Sequence, residues 1–436
     1  MRRFFSPFAI LWLGLGVGLN FIEQDTIAAV AVSVAGIAHS SVGFITHGGR
    51  RISAPGVYML GTGLFGYYST LYLIVNPVFG PLPYLLAAVN ILFFGQVLNY
   101  YLSWKPRDRD TPPQCDDVDP RIASWGKWLG LFVAAAGVVL SARGFTEPPL
   151  AEAAAFVGII LYGVAAFRDP SRNGLVSYLI FGAAVLAYMT YVFTGFGRLN
   201  LGALGIAVVT TVAQRWRGRL MKIGLIVILG PALMYLAQNR ANFAASLNPS
   251  GQKETGLESV VGPMMRFSQL IGMEWAGNLP HTWGSSFSTS AVALVPRAIW
   301  PDKPIGFGAE LATLFAPELA GTGHSEAALF AGEWLFNFGI IGVLASIPLI
   351  GFAVNWLDTK WTAAEALPMT ERRHLLKAVA LTILSAGLLD LVWGGSFTYA
   401  SREGSRLLII LILFAVLALD KRAREKKLRP ALPLPP

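Results

Sequence analysis

Long, continuous apolar runs recur along this chain and decide the kind of solvent in which it can fold. Most of the charge sits in the short stretches between the runs, and only 14% of the 436 residues are charged. A soluble globular chain carries about 25% charged residues. A helix of roughly 20 apolar residues crosses a hydrocarbon core of about 30 Å, where only helices and closed barrels satisfy their backbone groups. Because the runs do not alternate, the sequence predicts an all-α, polytopic integral membrane protein.

The runs predict about twelve transmembrane helices in two groups. Nine fall within residues 1–238 and three within 328–420. Between the groups, 239–327 has no run of spanning length, but 255–276 and 284–300 have amphipathic helical spacing. We therefore expect a large folded loop domain that lies on the membrane. The predicted spans are 4–21, 27–46, 55–76, 82–103, 124–142, 150–167, 174–195, 200–214, 221–238, 328–356, 375–395 and 404–420.

The distribution of Lys and Arg predicts the orientation. If both termini are inside, 25 of the 34 basic residues fall on the inner side and nine on the outer side. Cytoplasmic loops carry such an excess, so we expect both termini in the cytoplasm, with a basic, Pro-rich tail over 421–436, and the 239–327 domain outside. The same bias accounts for the net charge of +9 without a nucleic acid partner.

The residues that commonly bind metal ions form no recognisable motif. Cys115 is the only cysteine, and the five histidines have neither a His-x₃-His nor an HExxH spacing. Two Asp-x-Asp stretches, at 108–110 and 117–119, lie in a short charged loop and are interpreted as solvated. We predict neither a metal nor a cofactor.

The basic residues on the predicted outer side include several arginines at helix ends or in the loop domain. If the spans bundle conventionally, these arginines surround one outward-facing cavity. An arginine fork binds phosphate bidentately with a permanent charge. The alternative is that they reach lipid headgroups or pair with acids. The six are Arg198, Arg240, Arg266, Arg297, Arg402 and Arg406.

Two acids stand inside apolar runs near the same side. A charge at the centre of a span costs about 2.5–3.5 kcal/mol, so Glu333 and Asp390 are candidate functional residues. Asn337 follows Glu333 by one helical turn. The alternative is a structural pair, such as Asp390 with Arg402.

A histidine precedes the tenth predicted span. His324 follows Gly321-Thr-Gly and is a candidate proton acceptor, the usual role of a general base; the alternative is a plain loop residue. Glu333 is the other candidate for the base. His281 is a weaker candidate.

Two motifs resemble a known family. Val295-Pro-Arg-Ala-Ile-Trp-Pro-Asp-Lys-Pro includes Arg297, Asp302 and Lys303, and Gly332-Glu-Trp-Leu-Phe-Asn-Phe-Gly-Ile-Ile-Gly includes Glu333 and Asn337. Both are similar to motifs of the O-antigen polymerases (Wzy-type oligosaccharide repeat-unit polymerases), which are related to O-antigen ligases. The resemblance covers roughly residues 195–345. It implies a glycosyltransferase C-type membrane architecture, with the external domain over the cavity, in a bacterial cytoplasmic membrane.

The resemblance also implies the reaction and its partners. A sugar hydroxyl of one undecaprenyl-diphosphate-linked oligosaccharide attacks the anomeric carbon of another and releases lipid diphosphate. Besides this donor and acceptor, membrane lipids, a flippase and a chain-length regulator are the implied partners. The arginines would stabilise the leaving diphosphate. Two alternatives stay open: a ligase that transfers a finished glycan, and, in a different class, a flippase or transporter of lipid-linked glycans.

Overall fold

The computed structural model describes residues 25–76, 84–104, 118–144, 148–169, 174–193, 198–213, 218–228, 257–295, 299–319, 321 and 324–428. Within these ranges the regular elements are all helices, and the one isolated β-bridge joins Val118 to Met369. A π-helical turn, Gly63–Tyr68, joins the second helix to the third, and a 3₁₀ turn spans Pro317–Leu319. The helices are α1 (Asp25–Thr46), α2 (Ala54–Thr62), α3 (Ser69–Val75), α4 (Leu85–Leu102), α5 (Pro120–Arg143), α6 (Pro148–Arg168), α7 (Gly174–Tyr191), α8 (Arg198–Ala213), α9 (219–228), α10 (Glu258–Trp275), α11 (Ser285–Ala291), α12 (Phe307–Phe315), α13 (Leu329–Glu365), α14 (Arg372–Ala386) and α15 (Leu388–Leu428).

Local sequence signals set several helix ends. Ser53 and Asp119 each stand one or two residues before a proline and accept a hydrogen bond from a backbone N–H of the first turn, so they cap α2 and α5. Gly144 ends α5 with a left-handed backbone, as glycine does after many helices.

In the part of the chain that the structure describes, six helices are long and apolar enough to cross a membrane: α1, α4, α5, Leu150–Arg168 of α6, α7 and α13. A seventh crossing results if α14 and the following Leu388–Leu419 count as one span, although they meet at an angle of 81°. This agrees with the all-helical membrane class predicted above. Of the other predicted spans, 4–21 and most of 221–238 lie outside the described residues, and 200–214 corresponds to the shorter apolar helix α8.

Three predicted spans are interrupted where the sequence indicated continuous helices. The span 55–76 contains the π-helical turn. The span 328–356 is broken at Gly339, and 375–395 ends at Ala386 before the sharp bend. A further break lies at Gly395 inside α15.

Helix α6 is the central helix of the bundle, and it is buried along most of its length. Its contact with α5 is close because small residues face one another: a Cβ atom on Gly130 would lie 2.5 Å from the backbone nitrogen of Tyr162. Small residues let membrane helices approach backbone to backbone. Helix α7, by contrast, turns Leu175, Leu179 and Leu186 outward, as expected of a lipid-facing helix.

The predicted loop domain is packed against the bundle where it is described. Helix α10 matches the predicted amphipathic stretch 255–276 and buries Met264, Phe267 and Leu270 in the common core. The stretch 284–300 forms only the short helix α11, followed by turns. Residues 239–256 lie outside the described ranges.

Charged groups collect at two ends of the bundle. Near the ends of α6 and α13, Lys127 pairs with Asp169 and Arg51 with Asp358, in both cases at 2.6 Å. Glu152 stands near the start of α6, about 24 Å from its end at a rise of about 1.5 Å per residue. Two of the predicted arginines, Arg402 and Arg406, lie at this second end with Glu152.

Candidate functional site

A polar cavity of about 250 Å³ opens at this second end between α6, α7, α8 and α15. Cavities between packed helices are common ligand sites. Charged side chains among apolar membrane helices are energetically costly, so they commonly mark functional sites. The lining residues are Glu152, Ala153, Tyr188, Asn200, Ser401, Arg402, Ser405 and Arg406. We call it the arginine cavity.

Two arginines one helical turn apart carry the positive charge of the cavity. Arg402 and Arg406 lie on the same face of α15, where like charges repel. Each is balanced by an acid: Arg402 Nη1 donates to Asp390 Oδ1 at 2.6 Å, and Arg406 Nη1 donates to Glu403. Asp390 is fully buried, whereas the Arg402 side chain remains 24% exposed. The structural pair considered above for Asp390 is therefore present, and its arginine still faces the cavity.

Arg406 is fixed from two further directions. Its guanidinium lies 3.8 Å from the centre of the Phe156 ring, and Nη2 donates to Asn200 Oδ1 at 3.0 Å. Asn200 in turn donates from Nδ2 to Glu152 Oε2 at 3.1 Å. The Asn200 amide thus connects the second arginine to the Glu152 carboxylate, which also lines the cavity.

Glu333 lies in a different network, at the break in α15. Its carboxylate is fully buried, and it accepts hydrogen bonds from the Ser286 hydroxyl (3.0 Å), the Ser396 hydroxyl (2.6 Å) and the Ser396 N–H (2.6 Å). Ser396 is the first residue after Gly395, whose backbone leaves the helical region (φ 78°, ψ −168°). The carboxylate therefore caps the segment that restarts there, as acids do at helix N-termini.

Asn337 holds the neighbouring turn in place. Its Nδ2 donates to Ser286 Oγ at 2.7 Å, and its Oδ1 accepts from the Thr282 hydroxyl (2.9 Å) and the Gly284 N–H (2.8 Å). Glu333 and Asn337 thus act one turn apart on one face, as their spacing predicted, but they bind protein groups. We call Glu333, Asn337, Ser286 and Ser396 the glutamate network.

The break in α13 is also at a glycine whose following backbone N–H is bound by an acid. Gly339 has a backbone similar to that of Gly395 (φ 63°, ψ −161°), and the N–H of the next residue, Ile340, donates to Glu274 Oε1 at 3.3 Å. The other oxygen of Glu274 lies 3.2 Å from His281 Nε2. His281 is thus bound to a capping acid and is not part of the arginine cavity.

His324 and Arg266 meet at a third acid. Arg266 donates two hydrogen bonds of 3.1 Å to Glu326, and His324 Nε2 lies 3.1 Å from the same carboxylate. Burial raises the pKa of Glu326, but the hydrogen bonds and charge of Arg266, together with His324, outweigh burial and bring the pKa below its ordinary value. Arg266 also lies over the Phe315 ring, 4.6 Å from its centre. The Arg266 guanidinium is therefore already bound to a carboxylate of the protein.

Two of the remaining predicted residues, Asp302 and Lys303, lie in the part of the chain that the structure describes. Lys303 donates to the carbonyls of Ala293 and Val295 at 3.0 and 2.8 Å, which fixes the turn before the Pro-Arg motif, and Asp302 is exposed. Arg240 and Arg297 lie outside the described residues. Arg198 begins α8, and its side chain also lies outside what the structure describes.

Two of the six predicted arginines, Arg402 and Arg406, share one cavity, whereas Arg266 belongs to another group. Neither His324 nor Glu333 is among the lining residues. Sequence reasoning did not single out Glu152, Asn200 or Tyr188. Glu152 could have been found by the rule that singled out Glu333, since it is a lone acid in the apolar run 150–167.

Within the described ranges, no group of three or more His, Cys, Asp or Glu side chains is arranged to hold a metal ion. Comparison of the chain with protein-family models, curated proteins and solved structures finds no match.

Proposed function

We propose that this chain is a membrane glycosyltransferase that polymerises oligosaccharide repeat units carried on undecaprenyl diphosphate. The observation that carries the proposal is the arginine cavity, in which two arginines line a polar space between apolar helices. A lipid-borne diphosphate approaches from the membrane, so its charged group needs a cationic site between the spans. The two motifs that resemble the O-antigen polymerases support the same reading.

Arg402 can bind the diphosphate without losing its own acid, whereas Arg406 is buried beside it and contributes its charge. Arginine has five N–H donors, and the Asp390 bond uses one donor of Arg402. The exposed remainder of the guanidinium can turn to two phosphate oxygens. Asp390 meanwhile keeps Arg402 oriented, and Glu403 does the same for Arg406.

In the proposed reaction, an acceptor hydroxyl attacks the anomeric carbon of the donor glycan. A bond forms between that oxygen and the anomeric carbon, and the bond from the anomeric carbon to the phosphate oxygen breaks. The electron pair leaves with the lipid diphosphate, whose charge the two arginines stabilise. The hydroxyl proton passes to a base.

The test replaces Arg402 in the full chain, purified into nanodiscs. The substrate is the undecaprenyl-diphosphate-linked oligosaccharide extracted from cells that lack the protein, and the readouts are free lipid diphosphate and polymer. We expect Arg402→Ala to lower turnover by about 10²- to 10⁴-fold, since two hydrogen bonds to a charged group are worth about 1.5–3 kcal/mol each. Arg402→Lys should recover little, because lysine lacks the fork.

The control is Arg143→Ala, at an exposed arginine that ends α5, which should leave turnover unchanged. Thermal unfolding verifies that the Arg402 variants fold. Turnover at the wild-type level in Arg402→Ala would exclude the cavity as the diphosphate site.

A flippase of lipid-linked oligosaccharide is the second candidate, and a specific observation favours it. The sequence indicated no broken helices, yet α13 and α15 are broken at Gly339 and Gly395, and transporters commonly build their sites from discontinuous helices. Two assays with the same lipid-linked oligosaccharide distinguish the two functions. An enzyme releases free lipid diphosphate, whereas a flippase in vesicles moves the intact lipid-linked sugar across the bilayer. A ligase, the alternative within the same class, releases lipid diphosphate but requires a different acceptor.

A further inference from the structure

We infer that Glu152 is the base of the arginine cavity, the group that accepts the proton of the attacking hydroxyl. This inference rests on the proposed function and adds a catalytic residue to it. Sequence reasoning assigned the base to His324 or Glu333. The geometry points to an acid on a different helix, α6, in the wall that faces the two arginines.

The carboxylates that could serve as the base differ in their partners and in their positions. Asp390 and Glu403 are buried and bonded to Arg402 and Arg406, so they serve to orient the arginines. Glu333 uses its oxygens to bind two hydroxyls and a backbone N–H at the helix break. Of the three acids just named and Glu152, only Glu152 is among the residues that line the cavity.

His324 is committed elsewhere. It is bonded to Glu326, which Arg266 also binds, and none of these three residues lines the cavity. A base must come within hydrogen-bond reach of the proton that it accepts. A hydroxyl that attacks a sugar whose diphosphate is held by Arg402 and Arg406 is therefore nearer to Glu152 than to the loop histidine.

Asn200 couples the base to the diphosphate site. It donates to Glu152 Oε2 at 3.1 Å and accepts from Arg406 Nη2 at 3.0 Å. The asparagine thus fixes one carboxylate oxygen of Glu152 relative to the guanidinium that holds the leaving group. We assign it as a positioning residue, because it acts through Glu152 and Arg406.

The charged and titratable groups around Glu152 suit this role. Arg402 and Arg406 face it from α15, and the Tyr188 hydroxyl-bearing ring faces it from α7. The guanidinium charges of the two arginines lie close to this carboxylate and line the same cavity. When the sugar–oxygen bond forms, the hydroxyl proton moves to Glu152, and the electron pair of the broken bond leaves on the lipid diphosphate. Water or the departing diphosphate then takes the proton and restores the carboxylate.

The test compares Glu152→Gln with wild type in nanodiscs, with the same extracted lipid-linked oligosaccharide. We expect kcat to fall by about 10²- to 10⁴-fold, the usual contribution of a positioned base. The acid limb of the pH–rate profile should disappear, while binding of undecaprenyl diphosphate alone stays within about twofold of wild type. Asn200→Ala should lower kcat less and should keep the acid limb. Glu318→Gln, at an exposed acid, is the matched control and should behave as wild type.

The outcomes separate this inference from the proposed function. If Glu152→Gln keeps wild-type kcat and the acid limb while Arg402→Ala is inactive, the inference is wrong and the polymerase proposal stands. Loss of undecaprenyl diphosphate binding in Glu152→Gln, with the acid limb retained in the residual activity, would make Glu152 a structural residue and also overturn the inference. If wild type itself releases no lipid diphosphate, the proposed function fails first.

Discussion

Replacing Gly395 with alanine tests the most unusual backbone feature of the chain, the break at which Glu333 caps a helix. Gly395 has φ 78° and ψ −168°, a region open almost only to glycine, which costs other residues about 1–3 kcal/mol. An added Cβ atom would also lie 2.5 Å from Glu333 Oε2. The carboxylate must then move, although three hydrogen bonds hold it in place.

The expected loss of stability is the sum of the backbone strain at residue 395 and the weakened hydrogen bonding of Glu333. Moving the carboxylate weakens the 2.6 Å bond from the Ser396 N–H, and a hydrogen bond to a charged group contributes about 1.5–3 kcal/mol. Together with the backbone strain, Gly395→Ala should lower the free energy of unfolding by about 2.5–6 kcal/mol. No gain in helix propensity offsets this loss, because the residue is not helical.

The assay is thermal unfolding of the purified full chain in detergent, followed by the intrinsic fluorescence of its tryptophans. Gly182→Ala is the control, since a Cβ atom at Gly182 in α7 would meet nothing within 4 Å. Alanine there should be neutral or stabilising by up to about 1 kcal/mol. If Gly395→Ala unfolds at the same temperature as Gly182→Ala, the break is not strained and Glu333 is not locked at the cap.

Two further predictions concern packing and pH. Gly130→Ala should separate α5 from α6 and destabilise the protein by about 1–3 kcal/mol, the usual cost of overpacking. Gly205→Ala is the control, because a Cβ atom at Gly205 would meet nothing within 4 Å, and it should not destabilise the protein. Equal unfolding temperatures of the two variants would contradict the close contact between α5 and α6. The pKa of Glu326 is below its ordinary value, so its contribution to stability is complete above the ordinary glutamate pKa of about 4.3 and is lost as the pH falls through the lowered value. The stability difference between wild type and Glu326→Gln, measured by thermal unfolding across the acid range, should shrink in that window, and a difference independent of pH would refute the Arg266 pairing.

The function of the site depends on which charges are already balanced inside the protein. Arg266 and His324 share Glu326, and Glu333 is occupied at a helix break. These groups bind one another or the backbone, and none of them lines the arginine cavity. Arg402 is paired with Asp390 but keeps part of its side chain exposed, and it lines the arginine cavity.

The sequence by itself determined the helical class and several of the helices that could cross a membrane, but not the twelve predicted spans: the described residues contain six such helices, or seven if the bent pair is one span. Apolar runs are local, and about twenty apolar residues suffice to predict a spanning helix whatever surrounds it. In the structure, local residues also set some helix ends, such as the cap at Asp119 and the end at Gly144, although the sequence analysis did not predict them. A lone acid or arginine in an apolar run could likewise be marked as a candidate, since the cost of placing a charge in lipid does not depend on its partner.

Only the tertiary structure decided which of those charged groups meet. Asn200 bonds to Glu152, 48 residues away, and to Arg406, 206 residues away, and no spacing rule links such positions. The helix breaks likewise depend on contacts between residues that are distant in the sequence. Pro348 lies within α13 without a break, whereas Gly339 is broken because Glu274 of another helix binds the next N–H. A break of this kind needs both a residue that tolerates the backbone and a distant group that satisfies the freed N–H, and the fold alone brings the two together.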